Sequence, residues 1–502
     1  MSPAPTPRGR GRGPSRRGGR TRADGPDRSR SRSTDRRPQE TTFDPERGDA
    51  RDRVHARLVK LARQFPDLKI GSVDTSGLDA REAAFARALE QCVLQRWLTL
   101  QAIAASRVDR DWRILQGSIR AALLAGTAEL LLMDGVPDHA AINETVGRVR
   151  RHVHSGAAGL VNAVLRKVAA LRDEVVDPDH PAARGFHDRR DVVPLPDGRA
   201  IILKEPVFAD EVVLRLAQQT SHGEPLVVHW IAAHGIQRTR ELCHHDLIRP
   251  PVCVTATDPR TLESDATEEG PLVPHDRSGF FVVTDESLDL GRFLQAGPGR
   301  RIQDPASAEP VAGTAGLRPR LIVDYCAGRG TKTRQLADLH TDARILATDV
   351  DEARRRDLAR AFASHDRVDV VPPEGLRDAI GRTDLLVLDV PCSNTGVLAR
   401  RAEARYRFDP ESLKSIARLQ KGIVRETEPL LAEEGSILFA TCSLEPVENR
   451  KVAHWIGHHF GLELVREHQT FPSGSPGDRP TGVHDGSFHA LLSRRAGGSE
   501  SS

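Results

Sequence analysis

Two cysteines in the C-terminal third of this 502-residue chain are the residues best placed to do chemistry. In D-V-P-C-S-N-T-G (389–396) an apolar run stops at Asp389, Pro391 fixes the backbone, and Cys392 follows. In S-I-L-F-A-T-C-S-L-E-P-V-E-N (436–449) a second apolar run stops at Cys442. Taken alone, each cysteine reads more naturally as a small buried hydrophobe than as a nucleophile. Two of them at matching strand ends, in a chain with six (92, 243, 253, 326, 392 and 442), weigh toward function. Parallel strands would aim both thiols and the Asp389 carboxylate at the crevice outside the carboxyl ends of the sheet, where open α/β sheets bind ligands.

A third stretch supplies a place for a cofactor. D-Y-C-A-G-R-G-T-K-T (324–333) is a glycine-bearing turn between a strand and a helix, which lets a ligand approach the backbone at the helix N-terminus. The next strand ends in Asp349, placed to hold a ribose hydroxyl. The spacing is neither G-x-G-x-x-G nor G-x-x-x-x-G-K-[ST], so it points to a nucleoside-containing cofactor only in this company. In isolation Gly328 and Gly330 would equally suit a plain tight turn. One reaction uses two thiols, a carboxylate and such a cofactor. Carbon 5 of cytosine is too weak a nucleophile to attack a methyl sulfonium unaided. A thiolate adding at carbon 6 makes carbon 5 enamine-like, and a base must later remove the carbon-5 proton so that the thiol can leave.

These residues need a scaffold, and the pattern supplies one. From 300 to 495 apolar runs L-I-V-D (321–324), I-L-A-T-D (345–349), V-D-V-V (368–371), L-L-V-L-D (385–389) and I-L-F-A-T (437–441) alternate with helical stretches, which predicts a doubly wound, Rossmann-like α/β domain. Residues 45–175 read as an all-α bundle; Val161, Val164, Leu165 and Val168 share one stripe, and Arg148, Arg150, Arg151, Arg166 and Lys167 suggest basic outer faces. Residues 176–205, rich in Pro, Asp and Arg, read as a linker with a short hairpin. Residues 206–299 mix a helix (Leu226 to Cys243) with short strands, a small α+β domain.

The net charge of +3 is unevenly placed. Residues 1–40 hold 12 Arg and 4 acids, so the remainder carries a net −5. Residues 1–44 therefore read as a disordered Arg-rich arm, serving solubility or non-specific contact with RNA phosphates. There is no signal-peptide pattern, and no apolar run is long enough to span a bilayer. The cysteines form neither a disulfide framework nor a C-x-x-C pattern, which fits the cytoplasm and a chain without a metal. C-H-H-D (243–246) lacks a second ligand pair and reads as a helix-surface cluster; Cys92 and Cys253 read as core.

The paired P-C-S-N-T-G and T-C-S-L-E-P-V-E-N motifs resemble those of RNA cytosine-5 methyltransferases of the Sun/Fmu type. I-Q-D-P-A-S (302–307), the 324–333 loop and R-L-Q-K-G-I-V (418–424) extend the likeness. V-P-D-H-A-A-I-N-E-T-V and G-L-V-N-A-V-L-R-K-V are similar to the NusB-like domain that precedes the catalytic domain in the bacterial 16S rRNA methyltransferase B family. W-I-A-A-H-G (230–235) with P-P-V-C-V-T resembles that family's RRM-like middle domain. The resemblance covers about 45–495 and implies S-adenosyl-L-methionine as cofactor, 5-methylcytosine as product and ribosomal RNA as partner to a monomer.

It implies Cys442 as the nucleophile, Cys392 as the group assisting release, and Asp389 at the base edge and beside the cofactor, with Lys332 nearby. The cofactor would lie on Cys326, Ala327, Gly328, Arg329, Gly330, Thr331 and Lys332, with Asp349 at its ribose and Glu374 near its adenine. Several positions depart from the family. Arg329 stands where proline is usual and Thr331 where glycine is; Thr331 fits only if its φ is negative. Tyr406 replaces a common tryptophan, and the aromatic pair of the closing strand is reduced to G-S-F-H (486–489). Two alternatives stand beside this reading: the same chemistry on transfer RNA or another RNA, and a non-catalytic RNA-binding ribosome-assembly factor.

Overall fold

The computed structural model describes residues 48–494 apart from 69–70, 268–269, 286 and 298. The arm expected over 1–44 lies outside the described residues.

Five helices come first: α1 (Ala50–Gln64), α2 (Ala80–Ala105), α3 (Gly117–Leu131), α4 (Asp138–His152) and α5 (Ser155–Leu171). Asp49 and Asp79 start α1 and α2 by accepting the N–H groups of Asp52 at 2.9 Å and Glu82 at 2.8 Å, which satisfies donors that a helix start leaves unpaired. α3 is apolar on nearly every side because it runs through the middle of the bundle. The α5 stripe of Val161, Val164, Leu165 and Val168 is buried against it. The closeness of that contact requires Gly126, where a Cβ would come within 2.7 Å of Leu165 Cδ1. Glu129, the acid inside the most apolar stretch, is held by Arg51 at 2.7 Å. Arg148 is not on an outer face: it is buried and pairs with Asp52 at 2.6 Å, whereas Arg150, Arg151, Arg166 and Lys167 are exposed.

The segment read as a linker is folded. β1 (Arg172–Val176), α6 (Pro181–Arg184), β2 (Val192–Pro194) and β3 (Ala200–Leu203) form a three-stranded antiparallel sheet in the order β1-β3-β2. Val193, Leu195, Ile201 and Leu203 join the core of the helical bundle. The β2–β3 hairpin turns at P-D-G; two short valine and isoleucine runs outweigh the polar composition around them. α7 (Val212–Thr220) and α8 (Glu224–His245) follow, the latter bent at Gly235, whose φ is +79. A small antiparallel sheet then forms from β4 (Cys253–Thr255), β5 (Leu272–Pro274), β6 (Phe281–Val283), α9 (Leu290–Gln295) and β7 (Arg301–Ile302), in strand order β5-β6-β4-β7.

C-H-H-D is not a surface cluster. Cys243, His245 and Asp246 are buried, His245 Nδ1 meets Gly474 O at 2.8 Å, and Asp246 meets His222 Nε2 at 2.9 Å. These contacts join α8 to distant loops, which a local pattern cannot show.

The remaining elements build the sheet that carries the thiols: α10 (Pro305–Ala312), β8 (Leu321–Asp324), α11 (Thr331–Leu339), β9 (Arg344–Ala347), α12 (Glu352–Ala361), β10 (Val368–Val370), β11 (Thr383–Asp389), α13 (Ala402–Tyr406), α14 (Pro410–Thr427), β12 (Leu431–Thr441), α15 (Arg450–Phe460), β13 (Leu462–Thr470) and β14 (Ser487–Arg494). The order is β10-β9-β8-β11-β12-β14-β13; the first five are parallel, and β14 alone is reversed, pairing antiparallel with both β12 and β13. Strands buried on both faces must be apolar throughout, as Leu385–Leu388 and Ile437–Phe439 are. From β8 the chain winds outward to β9 and β10 and then returns to β11, so the topological switch lies between β8 and β11. The chain thus combines a helical bundle, small mixed sheets and a Rossmann-like domain. No described helix is long and apolar enough to cross a membrane.

Candidate active site

Three strand ends meet at the switch. β8 ends at Asp324 and turns through Cys326 to Gly330 into α11. Gly328 has φ +57 and Gly330 φ +83, so the two glycines carry the left-handed positions of the turn. At Gly330 a Cβ would also meet Phe362 at 2.5 Å and Leu358 at 2.6 Å, which leaves room for glycine alone. Thr331 is the first residue of α11 and needs no positive φ, so the replacement of a glycine there is accommodated. Asp349 shapes the turn: its carboxylate accepts the N–H of Gly328 at 3.1 Å and that of Asp351 at 2.9 Å. Asp324 accepts the Thr333 hydroxyl at 2.6 Å through one oxygen, while the other oxygen has no partner. Burial pushes this carboxyl up to about 7.

β11 ends at Asp389, whose carboxylate takes Lys332 Nζ at 2.7 Å; Ser307 Oγ lies 3.4 Å from the same nitrogen. Burial works to lower the Lys332 pKa, but the Asp389 charge and hydrogen bond outweigh it, with a further contribution from Cys442. The ammonium is therefore held charged beside the thiol.

The two cysteines are adjacent. Cys392 Sγ and Cys442 Sγ are 3.0 Å apart, both as free thiols. Cys442 also meets Asn394 Oδ1 at 3.3 Å, and Asn394 Nδ2 donates to Cys392 O at 3.0 Å. Asn394 takes φ +63, a left-handed turn that asparagine tolerates better than other side chains do. The hydrogen bond to Cys442 and burial both push the Cys392 thiol well up.

Residues not foreseen as site residues fix this geometry. Glu448 accepts the Ser393 N–H at 2.9 Å and the Ser443 hydroxyl at 2.8 Å, tying one cysteine loop to the other. Asn449 receives the Thr441 hydroxyl at 2.5 Å and donates to Ser443 O at 2.7 Å. Gly396 N–H donates to Cys442 O at 2.9 Å, and a Cβ at Gly396 would lie 2.8 Å from that oxygen and from Gly486 O. The V-E-N after T-C-S was the available signal, since an acid and an amide one turn past a thiol are placed to reach back to its loop.

A cavity of about 570 Å³ opens here, lined among others by Cys326, Arg329, Lys332, Asp389 and Cys442. Ala327, Gly328 and Thr331 line it as well; Gly330 is buried behind the turn and Cys392 lies behind Cys442. Asp349 stands outside the lining, bound to the Gly328 N–H, and Glu374 is exposed on a short 3-10 turn away from it. Cys326 contributes to the wall as a thiol that burial pushes far up, and is not reactive. Cys253, also on the wall, is pushed by burial up to about 12. Among the described residues no cluster of His, Cys, Asp or Glu is arranged to hold a metal ion.

Residues 317–474 match the family described as 16S rRNA methyltransferase RsmB/F, and residues 56–170 match the NusB family. Residues 317–474 thus form an RsmB/F-type methyltransferase domain, and residues 56–170 a NusB-type domain. The chain is 25% identical to the ribosomal RNA small subunit methyltransferase B of Proteus mirabilis, over 87% of this chain and 95% of that one. Its identity to the protein of the same name from Pseudomonas putida is 28%, over 79% and 87% of the two chains. The solved structure of PH0851 superposes with a TM-score of 0.61 over 90% of this chain and all of that one, at 16% identity, which shows a shared fold. The cofactor of this methyltransferase domain is S-adenosyl-L-methionine. The turn fits it: a Cβ at Gly328 would meet nothing within 4 Å, so the backbone borders open space on the cavity wall.

Proposed function

We propose that this chain forms 5-methylcytosine in small-subunit ribosomal RNA, with Cys442 as the covalent nucleophile. The contact of Cys442, on the cavity wall, with the Cys392 thiol 3.0 Å behind it is the observation that carries this reading. The names of the relatives support small-subunit ribosomal RNA as the substrate.

Lys332 is held charged by Asp389 beside the reacting thiol, and the Cys392 sulfur lies 3.0 Å from that of Cys442. The Cys442 thiolate adds to carbon 6 of the cytosine, and the displaced electron pair makes carbon 5 enamine-like. Asp389 lies at the base edge, where it and Lys332 hold the ring in its activated form. S-adenosyl-L-methionine, held along the backbone of 326–332, supplies an electrophilic methyl group when bound. Once Cys442 is a thioether, the larger of the two effects that keep Cys392 protonated is removed, and Cys392 gives its proton to water. Cys392 then takes the carbon-5 proton; the bonding pair reforms the 5,6 double bond, and the Cys442 sulfur leaves as thiolate.

The test is a pair of variants. Cys442→Ala abolishes methyl transfer to ribosomal RNA, a loss on the order of 10⁴-fold or more. Cys392→Ala accumulates a covalent protein–RNA adduct that survives denaturing electrophoresis. Normal turnover by either variant sinks the mechanism.

A further inference from the structure

The charged groups of the cavity wall are nearly all spoken for. Lys332 is bound to Asp389 at 2.7 Å. Arg400 is bound to Asp485 at 2.7 Å and Asp304 at 3.2 Å, and it also donates to Pro251 O at 3.1 Å. Two arginines on the wall are not used in this way. Arg329 is exposed and has no ion pair or hydrogen bond among the described residues. Arg401 reaches only Glu403, at 3.7 Å, and 45% of its side chain remains exposed. Arg329 comes from the turn after β8 and Arg401 from the loop that carries Cys392, so the two cations border the cavity from two different loops.

We propose that Arg329 and Arg401 form a clamp for the RNA phosphates flanking the cytosine presented to Cys442. The inference rests on the cytosine-5 reading above and adds to it the residues that hold the strand. A nucleotide entering a cavity of about 570 Å³ brings its backbone to the rim, where phosphates meet exposed side chains. Arginine suits this task, because its planar fork stays charged and matches two phosphate oxygens. On the wall Lys332 and Arg400 are already paired with carboxylates, so Arg329 and Arg401 can take phosphates without disturbing the Lys332–Asp389 pair beneath.

Arg329→Gln/Arg401→Gln in the full chain tests this, with binding of a single-stranded, cytidine-containing RNA oligonucleotide measured across salt concentrations. Each single-strand phosphate contact contributes roughly 0.7 to the slope of log K against log salt, so the double variant lowers its magnitude by about 1.4. Arg329→Lys/Arg401→Lys restores most of the slope, and Arg401→Gln alone, which leaves the cofactor turn intact, keeps affinity for S-adenosylhomocysteine within about twofold by calorimetry. A slope equal to that of the unaltered chain overturns the clamp. If that unchanged slope comes with lost S-adenosylhomocysteine affinity, the charge belongs to the cofactor's carboxylate instead. A slope change in a chain that forms no 5-methylcytosine would sink the reaction proposed above and leave the clamp standing.

Discussion

The thiol loops and the cofactor turn lie side by side in one cavity, yet they are built on opposite terms. Around Cys392 and Cys442 the neighbouring polar groups are tied within the protein: Glu448 reaches both loops, Asn449 joins Thr441 to Ser443, and Asn394 bonds both cysteines. Around the 324–331 turn the opposite holds. Asp324 keeps a buried oxygen without a partner, Gly328 borders open space, and Arg329 extends free. Covalent chemistry needs its reacting atoms held to within a fraction of an ångström before substrate arrives, whereas binding surfaces complete their hydrogen bonds with the ligand.

This contrast can be broken by removing the tie between the thiol loops. Glu448→Gln keeps the size of the side chain but weakens its hold on Ser393 and Ser443. The kcat for methyl transfer should fall by roughly 10²-fold, as expected for a misplacement of about 1 Å, while affinity for S-adenosylhomocysteine is unchanged. Equal losses in both would show that the two regions are not separable.

On the cofactor side, Gly330→Ala places a methyl group against Phe362 and Leu358 at a residue with φ +83. Destabilisation of about 1–3 kcal/mol is expected for the strained backbone, together with weaker S-adenosylhomocysteine binding. Melting curves and calorimetry read the two effects, and a stable variant with full affinity would contradict the fitted turn.

The smallest effect concerns Asp324. Its folded-state pKa, about 7, lies above the value of 3.8 for a free carboxyl, so the folded state binds the extra proton between these limits. Stability is therefore greatest below pH 4 as far as this group is concerned, and this contribution is lost as pH rises through 7. Asp324→Asn should flatten the pH dependence of stability between pH 4 and 7. Denaturant titrations at several pH values check this; an unaltered profile would mean that the group is already ionised in the fold.

Much of this was legible from residues. The five apolar runs, three ending in Asp324, Asp349 or Asp389 and one leading into Cys442, gave the parallel strands, because a strand buried on both faces has few other ways to be written. The thiols were legible because they follow those strand ends. What escaped depends on distant partners. Arg148 looks like a surface residue until Asp52, nearly a hundred positions earlier, neutralises it. The 172–203 sheet looked like a linker because its strands are only 3 to 5 residues long and bury themselves against helices elsewhere in the chain. Asn394 and Glu448 act through a fold that brings the two cysteine loops together, and neither loop alone shows this.

The helix α13 gives the molecule a mechanical linkage. Tyr406 Oη donates to Leu94 O at 2.6 Å and meets Ser221 Oγ at 3.0 Å, while Arg405 donates to Gln95 O at 3.2 Å. A tryptophan at position 406 has no hydroxyl with which to make these bonds. The stretch from Cys392 to Arg401 leads directly into this helix, so the strand of protein bearing one thiol is moored at its far end to the N-terminal bundle. Cutting the bundle away would unmoor the thiol, and the methyltransferase half would lose its alignment.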